Sequence, residues 1–259
     1  MRTMTNSGTA LRLRLNAVVA ALSIPIFLAM WELVGRSGVV NPVLFPPPSV
    51  VAVAMLEWIK SGQFAIDLAV SVYRVVIGFI GGATCGIVFG VLTGRYPLFS
   101  SLFSPLFHLL RPIPPIAFVP IVILWFGLSE AGKFFLVFWG VFFTVWLATH
   151  LGVQKVDGGL IRAALVLGTP QRKLLREIIF PGALPYIIVG LRTAVGISFY
   201  TLVAAELAGT FAGVMYRINI AEQNLQTGEV MGGLVVLGAL SFAADRAFAS
   251  LSQRLVWWR

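Results

Sequence analysis

Long apolar stretches, separated by short polar or proline-rich segments, run along most of this 259-residue chain. A membrane-spanning helix needs about 20 mostly apolar residues, and six stretches come close to that length or exceed it. The pattern predicts an all-α polytopic membrane protein with about six transmembrane helices. The predicted spans cover residues 17–34, 72–91, 102–127, 134–151, 184–207 and 230–248.

Prolines interrupt the third stretch and the segment between the first two. An interior proline removes a helical hydrogen bond, and such backbone is tolerated in a membrane only where protein or a cavity surrounds it. Between the first two spans, residues 41–48 are too proline-rich for a helix, and Ser49 is predicted to cap a short helix through Ile59. The third span is predicted to be bent and in two parts, with prolines at Pro105, Pro112, Pro114, Pro115 and Pro120.

The second span carries a row of glycines at a strict spacing of four residues. Positions four apart lie on one face of a helix, and glycine there lets another backbone approach closely. The row therefore predicts a helix-packing face, whose partner is either a helix of the same chain or a second subunit. Its members are Gly78, Gly82, Gly86, Gly90 and Gly94.

Composition restricts the class of protein. Hydrophobic residues make up 58% of the chain and charged residues 11%, against roughly 45–50% and about 25% in soluble domains. A soluble enzyme, a disordered chain and a fibrous protein are therefore excluded. The single cysteine, Cys85, lies in an apolar stretch and can form no internal disulfide.

The net charge of +9 is explained by the positive-inside rule, by which Lys and Arg stay on the cytoplasmic side. With both termini cytoplasmic, twelve Lys and Arg residues fall in cytoplasmic segments and four in external ones, the four being Arg36, Lys60, Lys133 and Arg217. We therefore expect a cytoplasmic tail at residues 1–16, one transmembrane domain at 17–251 and a second cytoplasmic tail at 252–259.

The loop between the fourth and fifth spans, residues 152–183, is predicted to form a helical hairpin. Asp157 can cap a first helix over residues 158–167. This helix is expected to stop at Gly168, because glycine is favoured just past a helix end.

A second helix is predicted directly after that turn. Thr169 acts as its N-cap and Pro170 as its first residue, and the helix is expected to end at Pro181-Gly182. Such a basic amphipathic hairpin either rests on anionic lipid headgroups or binds a partner. Its apolar side is formed by Leu174, Leu175, Ile178 and Ile179, and its charged side by Arg172, Lys173, Arg176 and Glu177.

The hairpin reads Arg162-Ala163-Ala164-x3-Gly168-x9-Ile178-x-Phe180-Pro181. This resembles the cytoplasmic loop signature of bacterial ABC importer permeases, Glu-Ala-Ala-x3-Gly-x9-Ile-x-Leu-Pro, with arginine in place of the glutamate and phenylalanine in place of the leucine. In that family the hairpin docks into a groove on a separate ATPase. The resemblance implies that the ATPase-coupling residues are Arg162, Ala163, Ala164, Gly168, Thr169 and Pro181.

Further motifs extend the resemblance over about residues 40–250. They are Phe45-Pro-Pro-Pro-Ser49, Ser71-Val-Tyr-Arg-Val-Val-Ile-Gly-Phe79, Arg111-Pro-Ile-Pro-Pro-Ile-Ala-Phe-Val-Pro120, Trp125-Phe-Gly127, Pro181-Gly-Ala-Leu-Pro185, Gly190-Leu-Arg192 and Val203-Ala-Ala-Glu-Leu207. Together they resemble the nitrate/sulfonate/taurine/bicarbonate branch, and look closest to taurine and alkanesulfonate permeases. The resemblance implies a type I ABC importer permease fold with a cytoplasmic coupling hairpin, in the bacterial inner membrane.

The same resemblance implies the partners and the activity. Two permease copies would form the pathway for a small anionic solute, two ATPase subunits would bind ATP and Mg, and an extracytoplasmic solute-binding protein would deliver the solute. The chain itself is expected to bind no cofactor, to catalyse no reaction and to contact membrane lipid but no nucleic acid.

Ionisable residues inside spans are functional candidates by default. Arg192 and Glu206 lie 14 residues apart in the fifth span, which returns them to nearly the same face but about 21 Å apart along the helix, so they cannot pair with each other. Each either forms a structural pair with another span or lines the pathway. Ser198 and Thr201 place hydroxyls on an adjoining face and, with Arg111, complete the pathway candidates.

Two motif-like patterns do not support other functions. Gly127-x4-Gly132-Lys133 mimics a phosphate-binding loop, but a phenylalanine follows where the metal-binding Ser or Thr belongs. His108 and His150 lie 42 residues apart with no nearby cysteine or acidic cluster, so no metal site is predicted. The alternative function is a secondary transporter or channel driven by an ion gradient, which would be expected to carry acid or histidine relays or two similar halves.

Overall fold

The computed structural model describes residues 6–255, and every regular element in that range is helical. The described chain divides into two compact units. The first consists of the described part of Met1–Phe64 together with Ile218–Leu234, and the second of Ala65–Arg217 together with the described part of Val235–Arg259.

The helices follow the predicted apolar stretches closely. They are α1 Asn6–Arg36, α2 Pro48–Lys60, α3 Gln63–Arg95, α4 Pro97–Leu110, α5 Val119–Phe126, α6 Glu130–Gln154, α7 Gly158–Val166, α8 Gln171–Lys173, α9 Phe180–Leu207, α10 Val214–Gln223 and α11 Thr227–Leu255. A 3-10 turn at Pro115–Phe118 precedes α5, and a π-helical stretch at Leu174–Ile179 joins α8 to α9. Predicted spans one, two, four, five and six lie within α1, α3, α6, α9 and α11.

Four helical segments of the described chain are long and apolar enough to cross a membrane, namely Gln63–Arg95, Glu130–Gln154, Gln171–Leu207 and Thr227–Ser252. The pair Pro97–Leu110 and Pro115–Phe126 makes a fifth if counted as one span, and it is bent by 88°. The bend falls in the proline-rich segment, as the sequence predicts. Helix α1 is not among these segments, so the total of six spans stays a prediction.

In the first unit, the N-terminus of α2 is capped by a residue that the sequence analysis did not identify. Pro47 occupies the N-cap position and Ser49 lies inside the first turn, so the prediction that Ser49 caps this helix is wrong. Instead, the backbone N–H and the hydroxyl of Ser49 donate to the carboxylate of Glu32 in α1, at 3.0 and 2.8 Å. A carboxylate is favourable beside a helix N-terminus, and Glu32 thereby takes over the role of the cap.

In the second unit, α6 packs between α3 and α9. Its inner positions are fully buried and include Leu136, Val137, Val141, Val145 and Trp146. On the α9 side, a Cβ built on Gly140 would meet Thr201, and one on Gly190 would meet Ala148. Small residues therefore allow close approach of α6 and α9.

The glycine row of α3 lies against the other side of α6. A Cβ at Gly82 would lie 2.8 Å from the carbonyl oxygen of Phe138, and one at Gly86 would lie 2.9 Å from the carbonyl oxygen of Phe142. All five glycines of the row meet α6 in this way. The packing partner of this face is a helix of the same chain, not a second subunit.

Candidate functional site

The first helix of the hairpin starts where the sequence places it. Asp157 is the N-cap of α7, and its Oδ1 accepts the backbone N–H of Gly159 at 2.7 Å. This bond satisfies one of the N–H groups that a helix start leaves without an internal partner. The predicted cap is therefore confirmed.

The turn at the tip depends on Gly168. Its φ is +76°, a backbone conformation that glycine adopts without the Cβ clash of other residues. The N–H of Thr169 donates to the carbonyl of Ala164, and the N–H of Gly168 to that of Leu165, both at 3.0 Å. This pair of bonds is a Schellman motif, so the predicted stop at Gly168 is confirmed.

The second helix of the hairpin differs from its prediction at both ends. Pro170, not Thr169, occupies the N-cap position, and it provides no side-chain cap. The helix also does not end at Pro181-Gly182, because the π-helical stretch Leu174–Ile179 leads directly into α9 and the segment Gln171–Leu207 is one continuous helix.

The π-helical stretch explains why Pro181 does not break this helix. Proline lacks an N–H, and its ring clashes with the carbonyl four residues earlier in an α-helix. In a π-helical turn the hydrogen bond instead reaches five residues back. The wider turn before α9 leaves room for Pro181, which lies in the first turn of α9.

The predicted apolar side of the hairpin faces inward. Leu174 and Ile179 are fully buried, in a cluster with Ala164 and Ala183. The charged side is exposed as predicted. A hydrogen bond from Nη2 of Arg95, the last residue of α3, to Oε1 of Gln171 at 3.3 Å also joins the hairpin to the bundle.

The tip of the hairpin exposes apolar side chains. Val166 and Leu167, next to the turn at Gly168, are 88% and 84% exposed. The six predicted coupling residues divide by burial. Arg162, Ala163 and Gly168 are exposed, Thr169 and Pro181 are half-buried, and Ala164 is buried.

A cavity of about 420 Å³ lies at the bend between α4 and α5. Arg111 and Thr201, two of the predicted pathway residues, line it together with the prolines of the bend. The remaining walls come from α6 and α9. The structure thus brings Arg111 and Thr201 to one site.

Ser198 does not share that cavity. It lines a separate apolar groove formed by α3, α9 and α11, and its hydroxyl donates to the carbonyl of Val195 at 2.6 Å. The hydroxyl of Thr201 likewise donates to the carbonyl of Ser198, at 3.0 Å. Both side chains are buried and they line different cavities, so their role in the pathway stays a prediction.

Arg192 forms an ion pair with Asp245 of α11. Its Nε and Nη2 donate to the two carboxylate oxygens at 2.8 and 2.9 Å. The pair is bidentate, the stronger arrangement for arginine and carboxylate. The two side chains are 53% and 35% exposed, although they lie within helices that are apolar enough to cross a membrane.

Glu206 belongs to a buried polar network at the end of the bundle away from the hairpin. Its Oε1 accepts the hydroxyl of Ser71 at 2.6 Å and Nη1 of Arg74 at 3.0 Å. Arg74 also donates to both carboxylate oxygens of Glu130, at 2.7 and 2.8 Å, to the carbonyl of Ala212 and to Thr210 Oγ1.

The same network holds the N-terminus of α10. Three consecutive backbone N–H groups at the start of this helix donate to side chains of α3 and α9. Gly213 donates to Asp67 Oδ1 at 2.9 Å, Val214 to Ser71 Oγ at 2.9 Å and Met215 to Glu206 Oε2 at 2.8 Å. The side chains replace the missing helix cap and place negative charge where the helix dipole favours it.

The motif-like residues have local structural partners. Lys133 donates to the carbonyl of Leu128 and to Glu130, both at 3.0 Å. His150 is hydrogen-bonded to Thr93 at 2.9 Å and to Gln154 at 3.1 Å. Across the searched residues 6–255, no three His, Cys, Asp or Glu side chains are grouped as metal ligands would be.

Sequence reasoning missed the partners of the charged candidates. Asp245, Glu130, Ser71 and Asp67 were not identified, although each bonds to a residue or helix end of interest. One signal was available: an arginine within a span, such as Arg74, requires an acidic partner.

Four or five helical segments of the described chain are long and apolar enough to cross a membrane, as in an integral membrane protein. Residues 86–256 match the family model for the binding-protein-dependent transport system inner membrane component. The chain therefore belongs to this family of ABC importer permeases. It is a multi-pass inner-membrane transport subunit, not a catalyst, and it works with an ATPase and a binding protein.

Three named permeases are similar to the chain over most of their length. A protein named as an aliphatic sulfonates transport permease, SsuC of Bacillus subtilis, is 35% identical, with 90% of this chain and 85% of that protein covered. The taurine transport system permease protein TauC of Escherichia coli is 32% identical over 91% of this chain and 88% of its own. The bicarbonate transport system permease protein CmpB of Synechocystis is 30% identical, with 89% and 85% covered.

Solved structures confirm the fold. A chain in the crystal structure of an amino acid ABC transporter with histidines superposes with a TM-score of 0.60 at 17% identity, covering 76% of this chain and 94% of that one. A chain of the inward-facing MetNI methionine ABC transporter gives 0.52 at 18% identity, covering 75% and 97%. The predicted type I importer permease fold is therefore confirmed.

Proposed function

We propose that two copies of this permease form the pathway of an ATP-driven importer for a small anionic solute. The relatives named for aliphatic sulfonates, taurine and bicarbonate support this solute class. An extracytoplasmic binding protein delivers the solute. Two ATPase subunits bind ATP and Mg, and the permease itself holds no cofactor.

The exposed tip of the hairpin carries this proposal. Val166 and Leu167 project from a turn that two backbone hydrogen bonds and a positive φ at Gly168 hold in one shape. A rigid turn with exposed apolar side chains suits a groove on a protein partner, because the turn loses little conformational freedom on binding. The tip and the residues from Arg162 to Thr169 form the ATPase-docking surface.

The transport cycle follows from this docking. ATP binding closes the two ATPase subunits, and the hairpins move with them. The second helix of each hairpin is continuous with α9, so its motion reaches the spans and opens the pathway outward. Hydrolysis and release return the pathway to the inward-open state.

The hairpin and both termini are cytoplasmic in this proposal, on the basis of the twelve-to-four distribution of Lys and Arg. Gln171, at the hairpin, and Asn224, in the loop after α10, are both exposed. In a Cys85→Ala background, single cysteines at these two positions should react with an impermeant reagent from opposite sides of the membrane. Labelling of both from outside intact cells would reject this orientation.

The source of energy separates this function from transport driven by an ion gradient. The permease is purified from its native membrane, any ATPase that accompanies it is identified, and the complex is reconstituted with its binding protein in vesicles. We expect an ATPase to co-purify with the permease. Uptake should require ATP on the side of the vesicle membrane that carries the ATPase, and it should persist when ionophores dissipate the ion gradients. Uptake that needs a gradient, with no associated ATPase, would support the secondary transporter instead.

A further inference from the structure

Arg162 lies on the outer face of the hairpin, opposite the side that packs against the bundle. Ala164 belongs to the buried cluster that includes Val153 of α6 and Ala183 of α9. Two residues at about 100° each place Arg162 about 160° away from Ala164 around α7. Val166, four residues after Arg162, lies about 40° from it on the same face. Arg162 is therefore exposed beside the apolar tip, on the side that faces away from the spans.

The charge of Arg162 does not stabilise the hairpin itself. None of the ion pairs among the described side chains includes Arg162. A Cβ built on Gly158 would lie 3.7 Å from Nη1 of Arg162, so the guanidinium extends back toward the N-terminus of α7, where the helix dipole disfavours a cation. The carboxylate of Asp157 instead caps the helix by accepting the N–H of Gly159. The charge of Arg162 is thus available to a partner.

The surface of the hairpin is basic as a whole. Residues 152–183 contain five Lys and Arg and two Asp and Glu, which gives a net charge of +3. All seven of these side chains are exposed. A protein surface of opposite sign would be attracted over a distance, and such attraction raises the rate of association.

Docking of the apolar tip removes water from Arg162 as well. Val166 and Leu167 are the most exposed side chains of the tip, and a groove that covers Val166 also covers a guanidinium one helical turn away. A charge that loses its water without gaining a partner opposes binding. Arginine pairs best with a carboxylate, because the planar fork of the guanidinium donates two parallel hydrogen bonds to its oxygens.

We propose that the ATPase that docks on this hairpin carries a carboxylate at the edge of its groove, and that this carboxylate pairs with Arg162. The signature that the hairpin resembles has glutamate at this position, and a glutamate would be repelled by the same carboxylate. Arg162 therefore selects one ATPase against others, by repulsion as well as by attraction. This inference rests on the proposed import function and specifies the chemistry of its ATPase partner.

Charge reversal at Arg162 tests the pair. The full-length permease is placed in nanodiscs of phosphatidylcholine, and its affinity for the ATPase that co-purifies with it is measured. Arg162→Glu should weaken binding at least about tenfold, because two like charges then meet in the groove. Glutamate forms helices about as well as arginine and is favoured near a helix N-terminus, so α7 should stay folded in this variant.

Arg172→Glu is the matched control. It changes the net charge of the hairpin by the same amount, but Arg172 is exposed on the charged side of the second helix, away from the apolar tip. Long-range attraction should therefore fall equally in both variants, and only the local pair distinguishes them. We expect Arg172→Glu to bind the ATPase within about threefold of the unmodified permease, as for other exposed charges.

An exchange of charges identifies the carboxylate. Arg162→Lys keeps the positive charge and supplies a primary amine, which a carbodiimide condenses with a carboxylate in contact with it. Peptide mass spectrometry then locates the cross-linked residue of the ATPase. Replacement of that residue by lysine should restore binding to the Arg162→Glu permease.

Three results would overturn the inference. They are equal binding by Arg162→Glu and Arg172→Glu, an ATPase with the reversed charge that does not restore binding, and a weakening that appears only in nanodiscs of phosphatidylglycerol, which would assign Arg162 to lipid headgroups. In each case an ATPase that binds the unmodified permease leaves the import function standing. If no ATPase associates with the permease, the import function fails and this inference fails with it.

Discussion

Arg74 of α3 and Glu206 of α9 lie 132 residues apart in the chain and form a buried ion pair, with 3.0 Å between Nη1 and Oε1. Neither charge is isolated. Glu130 pairs with the opposite edge of the Arg74 guanidinium, and Glu206 also accepts the backbone N–H of Met215 in the first turn of α10. One arginine therefore joins α3, α6, α9 and the start of α10.

The first prediction concerns this network. Arg74→Gln leaves the buried Glu206 without its cation, while Glu130 keeps Lys133, and it should lower the free energy of unfolding by about 3–5 kcal/mol, as for other broken buried pairs. Glu206→Gln should cost less, because Glu130 still pairs with Arg74. The measurement is chemical or thermal unfolding of the purified permease. Equal losses for the two variants would show that Arg74 does not hold the network together.

The second prediction concerns the glycine row. Gly82→Ala places a methyl group 2.8 Å from the carbonyl oxygen of Phe138, so α3 and α6 must separate, at a cost of about 1–3 kcal/mol. Gly81 provides the matched control, since its Cβ would lie 3.5 Å from the Phe138 ring, an ordinary contact. We expect Gly82→Ala to melt at a lower temperature and Gly81→Ala to be unchanged; identical melting of the two would show that α6 does not lie against the row.

The third prediction separates two roles of Arg192. If its only role is the ion pair with Asp245, Arg192→Gln and Asp245→Asn should lower melting temperature and transport to a similar extent. The double variant should then be no worse than either single one, because the same interaction is removed. If Arg192 instead attracts the anionic solute, Asp245→Asn should keep or raise transport while Arg192→Gln abolishes it. We expect the first pattern, measured as uptake per reconstituted complex.

The fourth prediction concerns the hairpin turn. Gly168→Val forces a β-branched residue into a positive φ, at about 1–2 kcal/mol, so the native turn should become roughly 5- to 30-fold less populated. Pull-down of the ATPase and ATP hydrolysis coupled to transport should fall, while the permease remains in the membrane. Gly168→Asn, which tolerates this backbone conformation, should retain more of both activities.

Arg172→Ala is the control for the hairpin. Arg172 is exposed on the charged side of the second helix, away from the apolar tip, and its loss should change ATPase binding little. Normal ATPase binding and transport by Gly168→Val would mean that the hairpin is not the coupling element.

The sequence predicts the helices well because their apolar length and local end signals are short-range properties. The Asp157 cap and the stop at Gly168 both depend on residues within a few positions of each other, and both are confirmed. The bend of the third span likewise follows from its prolines. These features need no knowledge of the tertiary fold.

The π-helical stretch could not be predicted from a helical pattern with 3.6 residues per turn. Leu174 and Ile179 are both fully buried although they are five residues apart, and in an α-helix that spacing would turn them about 140° away from each other. The prediction placed the four apolar residues on one α-helical stripe and ended the helix at Pro181-Gly182. Which of the four apolar residues are fully buried is set by the tertiary packing, so the spacing of five is visible only in the structure.

The ion pairs could not be predicted from the sequence for a different reason. Arg74 meets Glu130 across 56 positions and Glu206 across 132, and no periodic pattern relates residues so far apart. The predicted pathway role of Glu206 rested on its depth in a span alone. In the structure its neighbours are the start of α10 and the Arg74 guanidinium, in a network that leaves it fully buried.

The continuous helix from Gln171 to Leu207 links the hairpin to the far end of α9. Its 37 residues span about 55 Å, so a tilt of about 5° at the hairpin moves the far end by about 5 Å. That end carries Glu206, which holds the first turn of α10. If this helix moves as a rigid rod, a rotation imposed on the hairpin would reach the contact between Glu206 and Met215 through the backbone of a single helix.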